Sequence, residues 1–527
     1  MGIPNYFSYI IKNYSNIIRN LEQLSKDDEK FHSLYMDCNS IIYDALRKLD
    51  ANIAKDVLET TLIRAVVDKI GEYIKLISPT DTVFIAFDGV APFAKMNQQR
   101  TRRCRGGIQN VINEAVQSNV KQCDWSTSNI TPGTPFMKAL SVKVRKAFKN
   151  LEPHFNVRQI IVSGSDECGE GEHKLFKHIR TRELTGDENI AVYGLDSDLI
   201  MLSVFHCKLV NKLYVFRETP EFGKQLIPSD SQKSEHLFMD IHRFSNAILS
   251  EMNCEHTDTH RLYDYIFLCF FLGNDFLPHF PSLNIRTTGI ETLMGHYRTY
   301  IGKFSNRFLI SHDMKVDWKW VSVFITSLAK TEHSRIQQEY VLREKWGKRK
   351  WKTESSDDRD FTIQSAPVLY RPEEMYINPS QPFWEKRYYK SLFNETDQIQ
   401  DTCMNYLEGL EWVFKYYTDD CPHWKWRYKY HYPPLLVDLM KYVPAYHCDL
   451  IKNDSTNKPF KQHVQLAYVL PKSTHHLLPS ETRDKIEQSF SQYYVDKFDF
   501  QWAFCRYFWE AHALLPDIPM SVLEQLS

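Results

Sequence analysis

Four short apolar runs that each end in carboxylates constrain the fold of this chain more than any other feature. The runs are SLYMDCNSII, TVFIAFDGV, NIAVYGLDSDLIML and FFLGNDFLPH, and their acids are Asp37, Asp88, Asp196, Asp198 and Asp275. The first three runs read as buried strands. A fifth run, IIVSGSDECGEGEHK, adds Glu170 and Glu172. Because residues just beyond the carboxyl ends of strands in an open α/β sheet line one crevice, these acids are expected to converge there.

The order of apolar runs along the chain predicts the domain organisation. From residue 1 to about residue 330, short apolar runs alternate with amphipathic stretches, which is typical of a mostly parallel sheet flanked by helices. A polar segment with several prolines predicts a linker or surface loop over residues 331–382. Residues 383–527 are rich in Tyr and Trp with few strand-like alternations, and we expect a mainly helical second region.

The acids favour a metal site. Carboxylates gathered in one crevice repel one another by several kcal/mol unless cations neutralise them. Hard oxygen ligands select magnesium or manganese, and two such ions about 3.5–4 Å apart can activate water and stabilise the leaving oxygen of a phosphodiester. An Asp at a strand end can instead cap the following helix. The doublets D-S-D and E-G-E favour the metal, since each presents two carboxylates on one side of an extended backbone.

A basic stretch follows Asp88 directly. In KMNQQRTRRCR, helical spacing places Lys95, Gln99, Arg102 and Arg103 on one face. Arginine supplies paired donors and lysine a point charge, which suits a terminal phosphate monoester. An ordinary basic helix face is the alternative, but the neighbouring Asp88 favours a phosphate pocket beside the metal site.

Long blocks of this sequence closely resemble the XRN family of 5′-to-3′ exoribonucleases. The blocks are MGIPNYF, FDGVAPFAKMNQQRTRR, ITPGTPFM, GEGEHK, YGLDSDLIML and LGNDFLPHFPSL, and the resemblance resumes at GLEWVFKYY, WKWRYKYHYPPLLVDL, QLAYVLP and WEAHALLPDI. It implies a Rossmann-like and PIN-like (FEN-like) catalytic domain over residues 1–330. It also implies that the second region braces the active site and narrows its entrance.

The resemblance implies roles for individual residues. Magnesium, for which manganese can substitute, is expected as two ions on Asp37, Asp88, Glu170, Glu172, Asp196, Asp198 and Asp275. Lys95, Gln99, Arg102 and Arg103 are expected to bind the 5′-monophosphate of single-stranded RNA. Tyr43 stands where the family has a histidine that stacks on the 5′ base, and a second stacking residue is expected at Trp426 or, failing that, Trp424. Cys168 replaces a proline of the family, which alters only local loop stiffness.

Composition limits the remaining expectations. With 65 Lys and Arg against 66 Asp and Glu, any nucleic acid must be held by local basic surface. Eleven cysteines without a CxxC pair indicate reduced thiols, hence a cytoplasmic or nuclear protein. The basic run REKWGKRKWK reads as solvated charge, with a nuclear signal or RNA contact as the alternative. We expect no membrane span, a monomer, and no long C-terminal extension, with decapping or RNA-decay factors as partners.

The expected activity is processive two-metal-ion hydrolysis of 5′-monophosphorylated, for example decapped, single-stranded RNA to nucleoside monophosphates during RNA turnover. The first alternative is a structure-specific 5′ nuclease of the flap type, which shares the Met-Gly-Ile start and the clustered acids. The second is an inactive RNA-binding scaffold, although such proteins commonly lose metal ligands and this chain has all seven acids.

Overall fold

A computed structural model describes most of the chain. The described residues are 3, 5–49, 55–116, 125–220, 227, 231–256, 258–348, 367–393, 398–452 and 457–527, with backbone alone at 55–56 and 110–116. None of the helices in this described part is both long and apolar enough to cross a membrane.

A seven-stranded sheet forms the centre of the first region, in the order β1-β7-β6-β5-β2-β3-β4. Its strands are β1 (Ile18–Arg19), β2 (Ser33–Asp37), β3 (Thr82–Ala86), β4 (Gln159–Ser163), β5 (Asn189–Tyr193), β6 (Lys212–Glu218) and β7 (His236–Asp240). The five strands β6, β5, β2, β3 and β4 are parallel. Strand β7 is antiparallel to β6 and β1 is antiparallel to β7.

The direction of chain travel reverses next to β2. The chain moves outward from β2 to β3 and β4, and then returns to place β5 on the other side of β2. In open α/β sheets, ligands bind at the carboxyl ends of the strands where this reversal occurs. Asp37 ends β2, and Asp196 follows β5 by three residues, so both acids lie at the predicted crevice.

Helices cover both faces of the sheet. They are α1 (Tyr6–Asn13), α2 (Leu21–Lys26), α3 (Asn39–Lys48), α4 (Lys55–Ile77), α5 (Phe93–Val116), α6 (Pro135–Phe148), α7 (Glu152–Phe155), α8 (Gly171–Thr181), α9 (Ser197–His206), α10 (Ile241–Met252), α11 (Arg261–Cys269), α12 (Gly289–Tyr297) and α13 (Trp318–Gly347). Leu34 and Met36 pack into the core with α3, α4 and α6, whereas Tyr35 packs on the opposite face with α8 and α9. This two-residue alternation is why the strands are apolar throughout.

The second region is mainly helical, as predicted. Its helices are Trp384–Phe393, Ile399–Thr418, Leu436–Leu439, Gln462–Val469, Ser480–Lys485 and Met520–Leu526, with one short antiparallel pair, Phe500–Gln501 and His512–Ala513. Val464 and Leu523 pack against Phe93 and Met96 at the start of α5. The predicted fold class, a mostly parallel α/β sheet with a helical second region, is therefore confirmed.

The linker predicted for residues 331–382 requires correction where the structure describes it. Helix α13 continues through residue 330 to Gly347, and a further helix spans Pro372–Ile377. The helix was not recognised because charged residues occupy its core positions: buried Glu332 accepts bonds from the backbone of Leu436 and Val437. Residues 349–366 lie outside the described part, and the three-part division of the chain stays a prediction.

Arg343, the first residue of the basic run, is not solvated. Its side chain is 4% exposed and forms a two-bond ion pair with Glu374, at 2.8 Å from Nε and 2.6 Å from Nη2. It also donates to the carbonyl oxygens of Phe504 and Cys505. Residues 349–352 of this run are outside the described residues, so the nuclear-signal and RNA-contact alternatives remain open for them.

Candidate active site

Six of the seven predicted acids lie at the ends of strands or the starts of helices around one crevice, and Asp275 lies in the loop after the short 3₁₀ helix Phe270–Leu272. Asp37 ends β2 and Asp88 follows β3, while Glu170 and Asp196 precede the first residues of α8 and α9. Neither Glu170 nor Asp196 makes a side-chain capping hydrogen bond, which argues against the helix-cap alternative. Asp37, Glu170, Glu172, Asp198 and Asp275 are buried, Asp88 is half-buried and Asp196 is exposed. We call these seven residues the acidic cluster.

Asp37, Asp88 and Glu172 form the tightest part of the acidic cluster. One carboxylate oxygen from each lies within 4.8 Å of the others. Asp88 accepts a hydrogen bond from the backbone of Gly171 at 2.8 Å and another from the side chain of Asn39. Asp37 Oδ1 is buried and has no hydrogen-bond partner among the described atoms. An unsatisfied buried carboxylate oxygen facing two other carboxylates fits a cation ligand.

The E-G-E spacing has a steric cause at Gly171. A Cβ atom on this residue would lie 2.4 Å from Asp37 Oδ1, closer than any side chain can stand. Only glycine allows α8 to begin so near β2 that Glu170 and Glu172 both reach the crevice. The turn before it is anchored by hydrogen bonds from Gly169 to Val90 at 2.8 Å and from Gly89 to Gly169 at 2.9 Å. Exposed Cys168 therefore stands in a turn that does not depend on proline.

Burial and like charge raise the pKa of several members of the acidic cluster. Burial first, and then the charge of Asp88, hold the pKa of Asp37 well above its ordinary value. Burial and the charge of Glu170 do the same for Glu172. Burial and Asp275 raise the pKa of Asp198 to about 6. These shifts indicate that the acidic cluster carries more negative charge than the surrounding protein compensates.

The side chain of Lys95 enters the acidic cluster. Its Nζ atom forms ion pairs with Glu170 and, at 2.7 Å, with Asp275, and its side chain is 9% exposed. Although burial acts to lower the pKa of Lys95, the charges of Asp275 and Glu170 raise it well above its ordinary value. Burial likewise acts to raise the pKa of Asp275, but Lys95 lowers it overall. The structure thus places Lys95 within the acidic cluster rather than apart from it.

The other three residues of the predicted phosphate pocket lie on α5, as the spacing predicted. Gln99 is buried and its Oε1 atom has no partner among the described residues. The Nη1 atom of Arg103 is also buried without a partner among the described residues. Burial lowers the pKa of Arg103 to about 10. Arg102 is half-buried. We call Lys95, Gln99, Arg102 and Arg103 the basic pocket.

Two further arginines of the same stretch have structural partners. Arg100 donates to the carbonyl oxygens of Pro516 at 2.9 Å and Tyr493 at 3.1 Å. Arg105 donates to the carbonyl oxygen of Ala511 at 2.8 Å. These bonds fasten α5 to the second region and leave the basic pocket to the arginines that lack such bonds.

The three residues predicted to stack on RNA bases have different surroundings in the structure. Tyr43 is half-buried on α3 and interacts electrostatically with Arg103, so it lies next to the basic pocket. Trp426 is 8% exposed, stacks on Trp412 at 5.2 Å and bonds Glu408, so it lies in the core. That packing does not support base stacking by Trp426. Trp424 is half-buried, and its carbonyl oxygen accepts a bond from Phe93 at the start of α5.

Two tyrosines that contact the acidic cluster were not predicted individually. Tyr416 and Tyr417, on the helix Ile399–Thr418, donate to Glu170 at 2.9 Å and to Asp198 at 2.5 Å. Tyr416 also stacks on His173 with ring centroids 3.6 Å apart. The only signal in the sequence was the density of aromatic residues in WVFKYY. The second region therefore contacts the acidic cluster directly.

Oxygen atoms dominate the donor set, and the residues fit a hard divalent cation. The group Asp37, Asp88 and Glu172 offers only carboxylate oxygen, which suits magnesium or manganese. A second group adds His173 to Glu170 and Glu172. Burial lowers the pKa of His173 well below its ordinary value, which keeps the imidazole neutral, and its ring stacks on Tyr416. Acidic oxygen beside a basic pocket suits hydrolysis of a phosphodiester near a terminal phosphate.

Comparisons with known proteins match nearly the whole chain. The model of the XRN 5′-3′ exonuclease N-terminus matches residues 1–219, and the model of the Xrn1 helical domain matches residues 256–377 and 378–525. The two ranges of the helical-domain model together make up more than half of the chain. A solved structure, the catalytic core of Rad2 in complex with DNA substrate, shares 12% identity over 75% of this chain and 87% of its own, with a TM-score of 0.31. That score is too low to support an argument.

Several curated relatives of this chain are named 5′-3′ exoribonucleases. The 5′-3′ exoribonuclease 2 of Emericella nidulans is 25% identical, over 98% of this chain and 70% of its own length. The 5′-3′ exoribonuclease 1 of Saccharomyces cerevisiae is 25% identical over 92% of this chain and 40% of its own. The Homo sapiens 5′-3′ exoribonuclease 1 is 26% identical over 98% of this chain and 33% of its own length. With both family models matched in order and the acidic cluster assembled, the chain belongs to the XRN family of 5′-3′ exonucleases.

Proposed function

We propose that this chain is a magnesium-dependent 5′-to-3′ exoribonuclease that degrades 5′-monophosphorylated single-stranded RNA processively to nucleoside monophosphates. The observation that carries the proposal is the position of Lys95. Its Nζ contacts Glu170 and Asp275, while Gln99 and Arg103 follow on the same helix at one-turn spacing. A terminal phosphate bound on α5 would therefore lie beside the carboxylates, and the bond within reach would be the first internal phosphodiester.

The acidic cluster would hold the metal. Asp37, Asp88 and Glu172 supply the closest set of oxygen atoms, with Glu170, Asp196, Asp198 and Asp275 around them. Two divalent ions in such a site activate water and stabilise the leaving oxygen of a phosphodiester. Asn39 and the backbone of Gly171 orient Asp88, and Tyr416 and Tyr417 orient Glu170 and Asp198. Partners of this kind fix the direction in which ligand oxygens point.

The basic pocket would select the 5′ end. Arg103 Nη1 is buried without a partner among the described residues, so a phosphate oxygen that accepts a bond from it replaces no existing bond. A monophosphate with close to two charges can accept bonds from Arg102, Arg103 and Lys95. Tyr43, next to Arg103, offers an aromatic face for the first base. A capped or triphosphorylated end carries further groups that the site must accommodate, and we expect such RNA to be a poor substrate.

A time course on 5′-phosphorylated, 3′-labelled RNA with product sizing tests the proposal. Nucleoside monophosphates should appear from the first time points, without intermediate fragments, and a chelator should stop the reaction. Asp196→Ala together with Asp198→Ala provides a matched inactive chain, since removing clustered like charges need not destabilise the fold. Internal fragments, or product formation in the chelator, would refute the proposal.

The two alternatives from the sequence make different predictions in the same assay. A flap-type 5′ nuclease would cleave branched DNA in preference to linear RNA. An inactive scaffold would bind RNA without magnesium-dependent product. We favour the exoribonuclease because the acidic cluster is assembled and because relatives over nearly the whole chain are named 5′-3′ exoribonucleases.

We further propose that the chain acts as a monomer in the cytoplasm, with the nucleus as the alternative, and that decapping or RNA-decay factors deliver its substrate. The ten cysteines in the described part are all free thiols, which is consistent with a reducing compartment. Sedimentation of the purified chain and localisation of a tagged copy test these points.

A further inference from the structure

A cavity of about 460 Å³ lies beside Asp275 and shares Arg102, but not the other three residues, with the basic pocket. Helix α5 lines it with Ala94, Asn97, Gln98, Thr101, Arg102 and Arg105, which recur at helical spacing and so form one face. Lys95, Gln99 and Arg103, which face the proposed 5′-phosphate, do not line it. We call this cavity the chamber. Its volume falls within the range of about 300–1,000 Å³ that is usual for small-molecule sites.

Three arginines, Arg102, Arg105 and Arg286, line the chamber against the two acids Asp275 and Glu510. Arg286 pairs with Glu510, and Asp275 pairs with Lys95 from outside the chamber. Arg105 donates to the carbonyl oxygen of Ala511, and Arg102 lies close enough to Asp275 to help lower the pKa of that acid. Burial lowers the pKa of His279 and His431 to about 4 and that of His512 well below its ordinary value, so the three lining histidines are neutral at pH 7. The chamber thus favours an anion.

Three residues that line the chamber each have a polar side-chain atom that is buried without a partner in the described structure. These atoms are Gln98 Oε1, Asn274 Nδ2 and Tyr432 Oη, an acceptor, a donor and a hydroxyl that can act as either. Buried polar groups are nearly always hydrogen-bonded in folded proteins, to protein, ordered water or a ligand. Rotation of these side chains toward the chamber would offer both donors and acceptors to a ligand.

Aromatic rings complete the chamber. Tyr430 lines it, and Trp509, which is 37% exposed, lines it near solvent and stacks on Tyr507. Aromatic faces beside arginines form the usual recognition surface for a base with an attached phosphate. An inorganic anion would use the arginines alone and leave the unpartnered amide atoms unexplained.

We propose that the chamber is a second nucleotide site, which takes a nucleoside 5′-monophosphate after its release at the acidic cluster. The phosphate lies against Arg102 and Arg105, the base edge bonds Gln98 and Asn274, and the base face packs on Tyr430 or Trp509. The source of this ligand rests on the proposed function, since hydrolysis from the 5′ end releases one nucleoside monophosphate per step. Asp275 borders both sites, so the product has only a short distance to move.

Equilibrium binding of adenosine 5′-monophosphate to the full chain, in chelator so that no hydrolysis occurs, tests the site. Adenosine and ribose 5-phosphate, each lacking one half of the ligand, should bind more weakly than the monophosphate. Tyr432→Phe should weaken binding about three- to tenfold, the range for one neutral hydrogen bond, without lowering thermal stability because the hydroxyl has no partner to lose. Trp509→Ala should weaken it about tenfold if the base stacks there.

Tyr43→Ala serves as the matched control, because Tyr43 lies by Arg103 and does not line the chamber. Unchanged binding in Tyr43→Ala, with weaker binding in Tyr432→Phe, supports the chamber. Binding that is lost in Arg103→Met but unchanged in Tyr432→Phe and Trp509→Ala places the nucleotide in the basic pocket and overturns the inference. Absence of binding at millimolar nucleotide also overturns it, since water alone then fills the chamber. Binding needs no catalysis, so a chain that binds nucleotide but degrades no RNA refutes only the proposed function.

Discussion

At the scale of single residues, the balance of charge in the acidic cluster explains why metal is needed. Lys95 is the one lysine or arginine in the described part of the chain whose side chain pairs with these acids, and it contacts Glu170 and Asp275. Asp37 Oδ1 meanwhile has no partner in that part of the chain. Buried charges that lack a counterion cost several kcal/mol each. Divalent cations would remove this cost.

Asp37→Asn should abolish RNA hydrolysis while leaving the metal-free protein at least as stable. Loss of a metal ligand removes several kcal/mol of transition-state stabilisation, so we expect a loss of about a hundredfold or more in kcat. The neutral amide also removes a buried charge whose pKa is raised by burial and by Asp88. Steady-state kinetics and denaturant unfolding in chelator measure the two effects. Asp44→Asn, on the surface pair with Arg47, is the control, and equal activity of the two variants would contradict the metal assignment.

Arg103→Met should remove selectivity for the 5′-phosphate without destabilising the fold. One charge-assisted hydrogen bond contributes about 1.5–3 kcal/mol, so affinity for 5′-phosphorylated RNA should fall roughly 10- to 100-fold and affinity for 5′-hydroxyl RNA should not change. Arg100→Met is the matched control on α5. It leaves two carbonyl oxygens of the second region unbonded, and should lower the free energy of unfolding by about 1–3 kcal/mol with 5′ selectivity retained. If Arg103→Met weakened the binding of 5′-phosphorylated and 5′-hydroxyl RNA equally, Arg103 would not be the residue that recognises the 5′-phosphate.

At the scale of secondary-structure elements, the helix Ile399–Thr418 links the second region to the acidic cluster. It passes α9 closely enough for Tyr417 to reach Asp198, and Tyr416 reaches Glu170. Hydrogen bonds that orient metal ligands are usually needed for full metal affinity. We therefore propose that the second region contributes to metal binding through these two hydrogen bonds.

Tyr417→Phe should raise the magnesium concentration needed for half-maximal activity by about 10- to 100-fold, the usual effect of losing a bond to a metal ligand. Activity should recover in excess magnesium, because no ligand has been removed. Tyr389→Phe, which loses a hydroxyl bonded to Asp438, is the control and should affect stability alone. Identical magnesium requirements in the Tyr417→Phe and wild-type proteins would argue against the orienting role.

Sequence patterns predicted the strand ends and the helix that carries Lys95, Gln99 and Arg103 because both follow from local periodicity. Asp37 and Asp88 stand at the ends of apolar runs, and the sheet brings such ends together whatever their separation in sequence. Tyr416 and Tyr417 could not be predicted in the same way. Their contacts depend on how a distant helix packs, and in the sequence they resemble the many aromatic residues of the core.

At the scale of the whole molecule, charged residues inside the core obscured the connection between the two regions. Buried Glu332 and Arg343 occupy inward positions of α13 and bond groups far along the chain. A pattern that assigns charge to the surface therefore predicts a loop where a long helix stands. Trp426 shows the converse case, since an aromatic residue expected to face RNA packs on Trp412 instead.

Magnesium should stabilise the folded chain, because the acidic cluster forms only when β2, α8 and α9 come together. At a concentration one hundred times its dissociation constant, a ligand specific for the folded state adds about 2.7 kcal/mol to the free energy of unfolding. Denaturant titrations with magnesium and with chelator measure this difference. The gain should disappear in Asp37→Asn and persist in Asp44→Asn. Failure of magnesium to stabilise the wild-type chain would count against the metal site.

The central claim is that the acidic cluster and the basic pocket act together on a 5′-phosphorylated end. Its most direct test compares initial rates on one single-stranded RNA prepared with a 5′-monophosphate, a 5′-triphosphate or a 5′-hydroxyl, in magnesium. The monophosphate should be degraded to nucleoside monophosphates at least about tenfold faster than the other two. The 5′-hydroxyl end lacks the phosphate that the basic pocket would bind, and the triphosphate end carries further groups that the site would have to accommodate. Equal rates on all three RNAs would contradict the account.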